Sequence, residues 1–270
     1  MKKEPKQSSG LPLIIIGAVL VAALLGGYYL YSSSRSPSSN TNINRPANAA
    51  NAAANRAATA PLGATPPNMM GSPTASVTIE EFADFQCGAC ASVHPVIKEI
   101  TSTYGNRIRF IFRNYPLAIP GHEQAYEAAT AAEAAGMQDR AKFWAMQNLL
   151  LENQQTWSKN PNYRSIWEGY AQQIGLDVER FKADMAGEAA KKRVNDDMAR
   201  ARGLGIDSTP TVLVNGKNIP LQSLTSANLR QVIDTEIQNA VKTAPANGSA
   251  APATGTAPAP GSAANANAAK

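Results

Sequence analysis

The sequence predicts an α/β domain with an inserted set of helices, preceded by one N-terminal transmembrane helix. Three observations carry this reading. From Val77 the apolar residues alternate, and past Cys87 they recur at three- and four-residue steps, which is a strand running into a helix. Residues 107–115 alternate again, and residues 120–205 then carry helical periods. Residues 11–31 form an uncharged apolar run behind three lysines.

That apolar run is long enough to cross a hydrocarbon core of ~30 Å, and Tyr28, Tyr29 and Tyr31 suit the interface. Lys2, Lys3 and Lys6 place residues 1–10 in the cytoplasm and the rest of the chain outside. The alternative is a cleaved signal peptide, with the same charged start but a shorter apolar core and a small-residue cleavage site. In both cases the domain is exported. Residues 32–75 and 243–270 are rich in Ala, Asn, Ser, Pro and Thr and contain no aromatic residue. They are expected to be a flexible linker and a disordered tail around a domain at 76–242. As a coil the linker would span on the order of 35–40 Å. The formal charge of +5 also belongs to the flanks, which hold Lys2, Lys3, Lys6, Arg35, Arg45, Arg56 and Lys270 against Glu4 alone. The domain itself is left at about −1, which excludes nucleic acid as a partner.

Cys87 and Cys90 are the only cysteines. A Cys-x-x-Cys bridge closes too short a loop to staple a fold, so the pair points to reactive chemistry. Val77, Ile79, Ala83 and Phe85 share one face of a strand, with Thr78, Glu80, Asp84 and Gln86 on the other. Glu81 falls on the apolar face. It is either an end-of-strand acid that reaches water or a buried carboxyl with a raised pKa. Beyond Cys87 the inward face of the helix is Cys90, Val93, Ile97, Ile100 and Tyr104, and Pro95 should kink it. Cys87 therefore stands at or just before a helix start, where unpaired N–H groups and the dipole favour a thiolate. Cys90, one turn in and facing the core, is shielded. The asymmetry makes Cys87 the residue that attacks or is attacked and Cys90 the residue that resolves. No metal site is predicted, because a zinc site would need both histidines, and His94 and His122 lack close spacing. His94 is expected on the helix surface, tuning the site weakly.

Glu81 six residues before Cys87, Cys87-Gly-Ala-Cys90 at a helix start, and Pro95 within that helix resemble the active-site half of the thioredoxin superfamily. The phrase Phe82-Ala-Asp-Phe-Gln-Cys-Gly-Ala-Cys90 is most similar to its DsbA-like branch of exported thiol-disulfide oxidoreductases. The resemblance implies a thioredoxin-like fold with residues 107–115 as its second central strand and a helical insert at about 120–202. It matches Thr209-Pro210, ahead of a strand at 211–214, to the family's cis-proline loop facing the cysteines. Proline is the residue for which a cis bond costs only ~0.5–1 kcal/mol, although the residues alone leave an ordinary trans proline open. Asn215-Gly216 is a hairpin-turn signal, and Ser226 suits the start of a final helix that turns Leu229, Val232, Ile233 and Ile237 inward.

The resemblance further implies a redox-active Cys87–Cys90 disulfide and no other cofactor, with Glu81 passing protons to and from Cys90. The Thr209 backbone would pair with an extended substrate strand. Expected partners are unfolded or cysteine-containing exported proteins and a membrane redox partner, either a quinone-linked oxidase or a thiol reductant. The expected location is the bacterial cytoplasmic membrane, single-pass, with the catalytic domain on the periplasmic side. Oxidation of substrates is the favoured direction. Gly88-Ala89 lacks the Pro-His dipeptide of the most oxidising members, which leaves open a reductase or isomerase kept reduced by a membrane partner. A rival from another class is a tethered, non-catalytic binding module using the groove beside Pro210.

Overall fold

The computed structural model describes residues 55–243 and positions 25 and 52. The chain divides into two units, Met1–Ala58 and Thr59–Lys270, and the second carries the architecture described below. Among the described residues no helix is long and apolar enough to cross a membrane. The span expected at 11–31 lies outside the described residues apart from position 25, and so does the tail from 244 onward.

Strands β1 (Asn68–Gly71), β2 (Val77–Ala83), β3 (Ile108–Asn114), β4 (Thr211–Val214) and β5 (Lys217–Ile219) form one sheet in the order β1-β3-β2-β4-β5. β2 and β3 are parallel, Glu81 lying beside Phe112, because helix α1 (Gly88–Tyr104) carries the chain back to the same end of the sheet. β4 runs antiparallel on the other side of β2, with Val212 beside Glu81. β4 and β5 are joined by Asn215 and Gly216 at φ 48° and 78°, the left-handed pair that a two-residue hairpin needs. The Asn215 side chain also accepts a hydrogen bond from Thr78 N at 2.8 Å, tying the turn back to β2.

Between β3 and β4 lie helices α2 (Ala125–Gln138), α3 (Arg140–Glu152), the single turn α4 (Gln154–Trp157), α5 (Tyr163–Gln173), α6 (Val178–Ala186) and α7 (Glu188–Leu204). Asp139 and Asp177 cap α3 and α6 by accepting from Ala141 N and Arg180 N. α2 is the pivot of the insert. Its buried positions are mostly alanine, and such small side chains let α3, α6 and α7 all approach it closely. Trp157 and Trp167 meet edge to face at 5.2 Å beneath α5. The final helix, α8 (Ser226–Thr243), packs against α1.

β2 differs from the amphipathic strand that its sequence suggests, for Glu80, Phe82, Asp84 and Gln86 are buried along with the apolar face. The physical reasons are α7, whose Arg200 covers Glu80, and the residues after β3, which cover Asp84 and Gln86. There Glu80 Oε1 accepts from Arg113 Nε at 2.7 Å and from Arg200 Nε at 2.6 Å, and Arg113 Nη1 reaches Asp197 Oδ1 at 2.9 Å.

The linker expected to extend to residue 75 ends earlier. Residues 61–68 lie across the charged cluster, and β1 pairs antiparallel with β3. Ala64 N donates to Asp197 Oδ1 at 2.8 Å, while Arg200, Arg113 and Arg193 donate to the carbonyls of Pro61, Ala64 and Pro66. Gly63, at φ 80°, passes so close that a Cβ would lie 2.5 Å from Arg113 Nη1. Main-chain pairing and distant arginines hold this segment, and neither shows in its apolar-poor composition.

Candidate active site

Cys87 is the residue that caps α1, in an extended conformation with φ −73° and ψ 116°. Its side chain is half-buried. Cys90, one turn into the helix, is 1% exposed, and both thiols are free. The cysteines differ sharply in acidity. Hydrogen bonding from the Cys90 thiol is the largest influence lowering Cys87, to about 5. The Thr209 side chain and the N–H groups of Cys90 and Ala89 at the helix start add to it against the opposing effect of burial. Burial drives Cys90 far above the ordinary thiol range, reinforced by its hydrogen bond to Cys87 and by the charges of Cys87 and Glu81.

The loop opposite carries Thr209 and Pro210, joined by a cis peptide. Cys87 Sγ stands 3.3 Å from Thr209 O. The Thr209 hydroxyl is buried and otherwise unpartnered. Below the cysteines, Glu81 is 2% exposed, flanked in register by Phe112 and Val212. Its Oε2 has no hydrogen-bond partner, and burial pushes its carboxyl up to about 8. The structure thus brings Cys87, Cys90, Glu81, Thr209 and Pro210 to one end of β2.

His94 is placed differently from the surface position its sequence suggests. It is 3% exposed, with Nε2 unpartnered and 3.9 Å from Glu152 Oε1. Burial, with the charge of Lys98, lowers its pKa. The reason is the insert, for Leu151, Glu152 and Gln154 close over this side of α1 and form one wall of a groove with Gly88, Ser92 and His94. Among the described residues no cluster of His, Cys, Asp and Glu has the makings of a metal site.

Sequence reasoning missed the side chains that fix the Cys87 loop. Asp84 Oδ1 accepts from Gln86 N at 2.7 Å, and its Oδ2 accepts from Leu117 N at 2.8 Å and from His122 Nδ1 at 2.7 Å. Gln86 exchanges two hydrogen bonds with Gln124 and donates to Ser158 O. Gln154 Nε2 donates to both Phe85 O and Cys87 O, at 2.8 and 3.0 Å. The polar run Asp84–Gln86 continuing a buried strand was the available signal. The partners outside the turn, 33 to 72 residues away, had none.

A family model described as thioredoxin matches residues 64–235. The Na(+)/H(+) antiporter NhaA 1 of Mycolicibacterium gilvum is 35% identical over 152 residues, which is 56% of this chain and 23% of that protein. The chain thus spans about a quarter of the length of that relative, and the antiport in its name is not carried over. Among solved structures, the thiol-disulfide exchange protein alpha-DsbA2 from Wolbachia pipientis superposes with a TM-score of 0.53 at 21% identity, over 63% of this chain and 87% of that one. A thioredoxin-like oxidoreductase from Silicibacter pomeroyi does so with a TM-score of 0.50 at 25% identity, over 66% and 95%. With a helical insert between β3 and β4 and a Cys-x-x-Cys at the start of α1, the chain belongs to the thioredoxin family and has a DsbA-like fold.

Proposed function

We propose that the protein is a thiol-disulfide oxidoreductase that exchanges disulfides with cysteine-containing proteins through Cys87 and Cys90, oxidation of the partner being the favoured direction. The observation that carries this is the split between the two thiols, one held at about 5 and half-exposed beside Thr209-Pro210, the other buried and far less acidic. In the oxidising direction a substrate thiolate attacks Cys87 Sγ of the Cys87–Cys90 disulfide. The S–S bond breaks and its electron pair passes to Cys90 Sγ. Glu81, carrying its proton at neutral pH, supplies it through water to the new thiolate. A second substrate thiolate then attacks the substrate sulfur of the mixed disulfide, and Cys87 departs as a thiolate, for which its low pKa suits it. No cofactor beyond the cysteines is required.

Direction follows from how far the reduced form is stabilised. Thiolates near 7 and 3.5 accompany potentials near −270 and −120 mV in thioredoxin and DsbA, so a thiolate at about 5 points to a potential between them, roughly −185 mV. That is a milder oxidant than DsbA. The charged start and apolar run at residues 1–31 support an exported, membrane-tethered location, with a membrane redox partner resetting the cysteines. Trapping tests the exchange reading, because a Cys90→Ser protein should accumulate mixed disulfides through Cys87. Their absence would overturn it, and a potential near −270 mV would overturn the direction.

A further inference from the structure

The turn between β2 and α1 holds a group aimed at the less accessible sulfur. Asp84 N lies 3.5 Å from Cys90 Sγ, with its N–H directed at the sulfur. The peptide that carries this N–H is held from both sides. Its carbonyl, Ala83 O, accepts from Tyr115 N at 2.8 Å. Its carboxylate is wholly buried and accepts from Gln86 N, Leu117 N and His122 Nδ1. Those three donors come from the turn itself and from the segment after β3, so the carboxylate fastens the turn to a second part of the frame. A buried carboxylate is costly unless its lone pairs are filled, and here three donors fill them.

We propose that the Asp84 N–H stabilises the Cys90 thiolate that forms when the Cys87–Cys90 bond opens, and that the Asp84 carboxylate with His122 is the positioning pair that aims it. This rests on the exchange reading above. When an incoming thiolate bonds to Cys87 Sγ, the electron pair of the broken S–S bond collects on Cys90 Sγ, in a site whose burial opposes charge. A fixed N–H donor acts at that moment with no reorganisation, as an oxyanion-hole donor does. Before and after the step Cys90 is a thiol or half of a disulfide and gains little from the same contact. The contact therefore lowers the barrier in both directions and leaves the redox equilibrium nearly where it was. In the reverse step it steadies Cys90 as the attacking thiolate.

The test is the rate at which reduced glutathione opens the disulfide of the oxidised protein, measured for wild type, Asp84→Asn, His122→Leu and His122→Asn. Asparagine at 84 offers one acceptor oxygen in place of two, so either the Gln86 or the Leu117–His122 side faces an NH2. We expect a fall of about tenfold or more for Asp84→Asn and for His122→Leu. His122→Asn, which sets an amide N–H where Nδ1 stands, should recover at least half of the wild-type rate. The Cys87 thiolate titration and the equilibrium with glutathione should stay within about threefold throughout. A wild-type rate in Asp84→Asn would overturn the proposal. So would a loss that tracks a raised Cys87 pKa or a shifted equilibrium, since the pair would then be acting through the Cys87 loop. Should Asp84→Asn fail to fold, the two His122 variants decide alone, and equal rates in them would overturn the proposal. A wild-type protein that does not exchange with glutathione at all would instead overturn the proposed function, before any variant is compared.

Discussion

Glu81 should destabilise the fold at neutral pH, by an amount that pH itself can vary. Its carboxyl is wholly buried, has an unpartnered oxygen and keeps its proton to about pH 8, against 4.5 when exposed. The folded protein therefore binds a proton that the unfolded chain releases. Stability is undiminished below pH 4.5, is lost progressively from 4.5 to 8, and falls no further above that. Each decade costs 1.36 kcal/mol, so the penalty is about 3 kcal/mol at pH 7 and about 5 kcal/mol above pH 8. Glu81→Leu keeps roughly the same volume between Phe112 and Val212 and removes the titration. Urea unfolding of the reduced proteins at pH 5, 6, 7 and 8 isolates the effect, because Cys87 titrates alike in both. The variant's advantage should grow by about 1.4 kcal/mol per pH unit, equivalent at pH 7 to roughly 6–12 °C in Tm. Its disulfide exchange should slow, since the proton carrier for Cys90 is gone. A gap that does not change with pH, or a wild type more stable than the variant at pH 8, would refute the reasoning.

Three further outcomes are expected. Absorbance at 240 nm should place the Cys87 titration near pH 5 in the reduced protein, and iodoacetamide should label Cys87 while sparing Cys90 at pH 7. The sign of this group is opposite to that of Glu81, so its stabilisation of the reduced fold is complete above about pH 9 and is lost as pH falls through 5. Arg113→Leu leaves Asp197 and Glu80 buried without one of their partners and should cost about 3–5 kcal/mol in urea unfolding. Limited proteolysis should then cut first within residues 60–68. Gln154→Leu strips the side-chain donor from Phe85 O and Cys87 O, and should cost about 1–3 kcal/mol while slowing mixed-disulfide formation.

Periodicity places β2, α1, β3 and α8, and the Asn215-Gly216 turn signal places the β4–β5 hairpin, because each of these signals lies in neighbours in sequence. It failed where burial comes from elsewhere. The alternating pattern reports only one face of β2, while Arg200 of α7, 120 residues away, covers Glu80 on the other. β1 has almost no apolar signal, since Arg113, Arg193 and Arg200 hold the approach to it through main-chain carbonyls. His94 follows Cys90 by four residues on α1, and it is residues of α3 and α4 that close over it, which no local pattern reports. At the site, Cys87, Cys90, Thr209 and Pro210 were legible because each belongs to a short motif. Asp84, His122 and Gln154 were not, because a polar contact across 38 or 67 residues leaves no period to detect.

The same contacts explain why the dipeptide between the cysteines can be plain. The loop is fastened from outside by Gln154, by Gln124 and Ser158 through Gln86, and by His122 and Leu117 through Asp84. The Cys87 thiolate draws chiefly on the Cys90 thiol, backbone N–H groups and Thr209, none of which is a charged side chain. Gly88 and Ala89 are therefore free to tune without being needed to build. A Cβ at Gly88 would meet nothing within 4 Å, and Ala89 is partly exposed. Ala89→Gln, an uncharged change, should leave the potential alone, whereas Ala89→His adds a protonatable group beside the thiolate. Below the pKa of that imidazole, its charge should lower the Cys87 titration and raise the reduction potential by about 30 mV for each decade of added thiolate stabilisation. Titration against glutathione at pH 6 measures it. A potential that does not move, with Cys87 still titrating near 5, would mean that the frame alone sets the acidity and that the dipeptide has no hold on the direction of exchange.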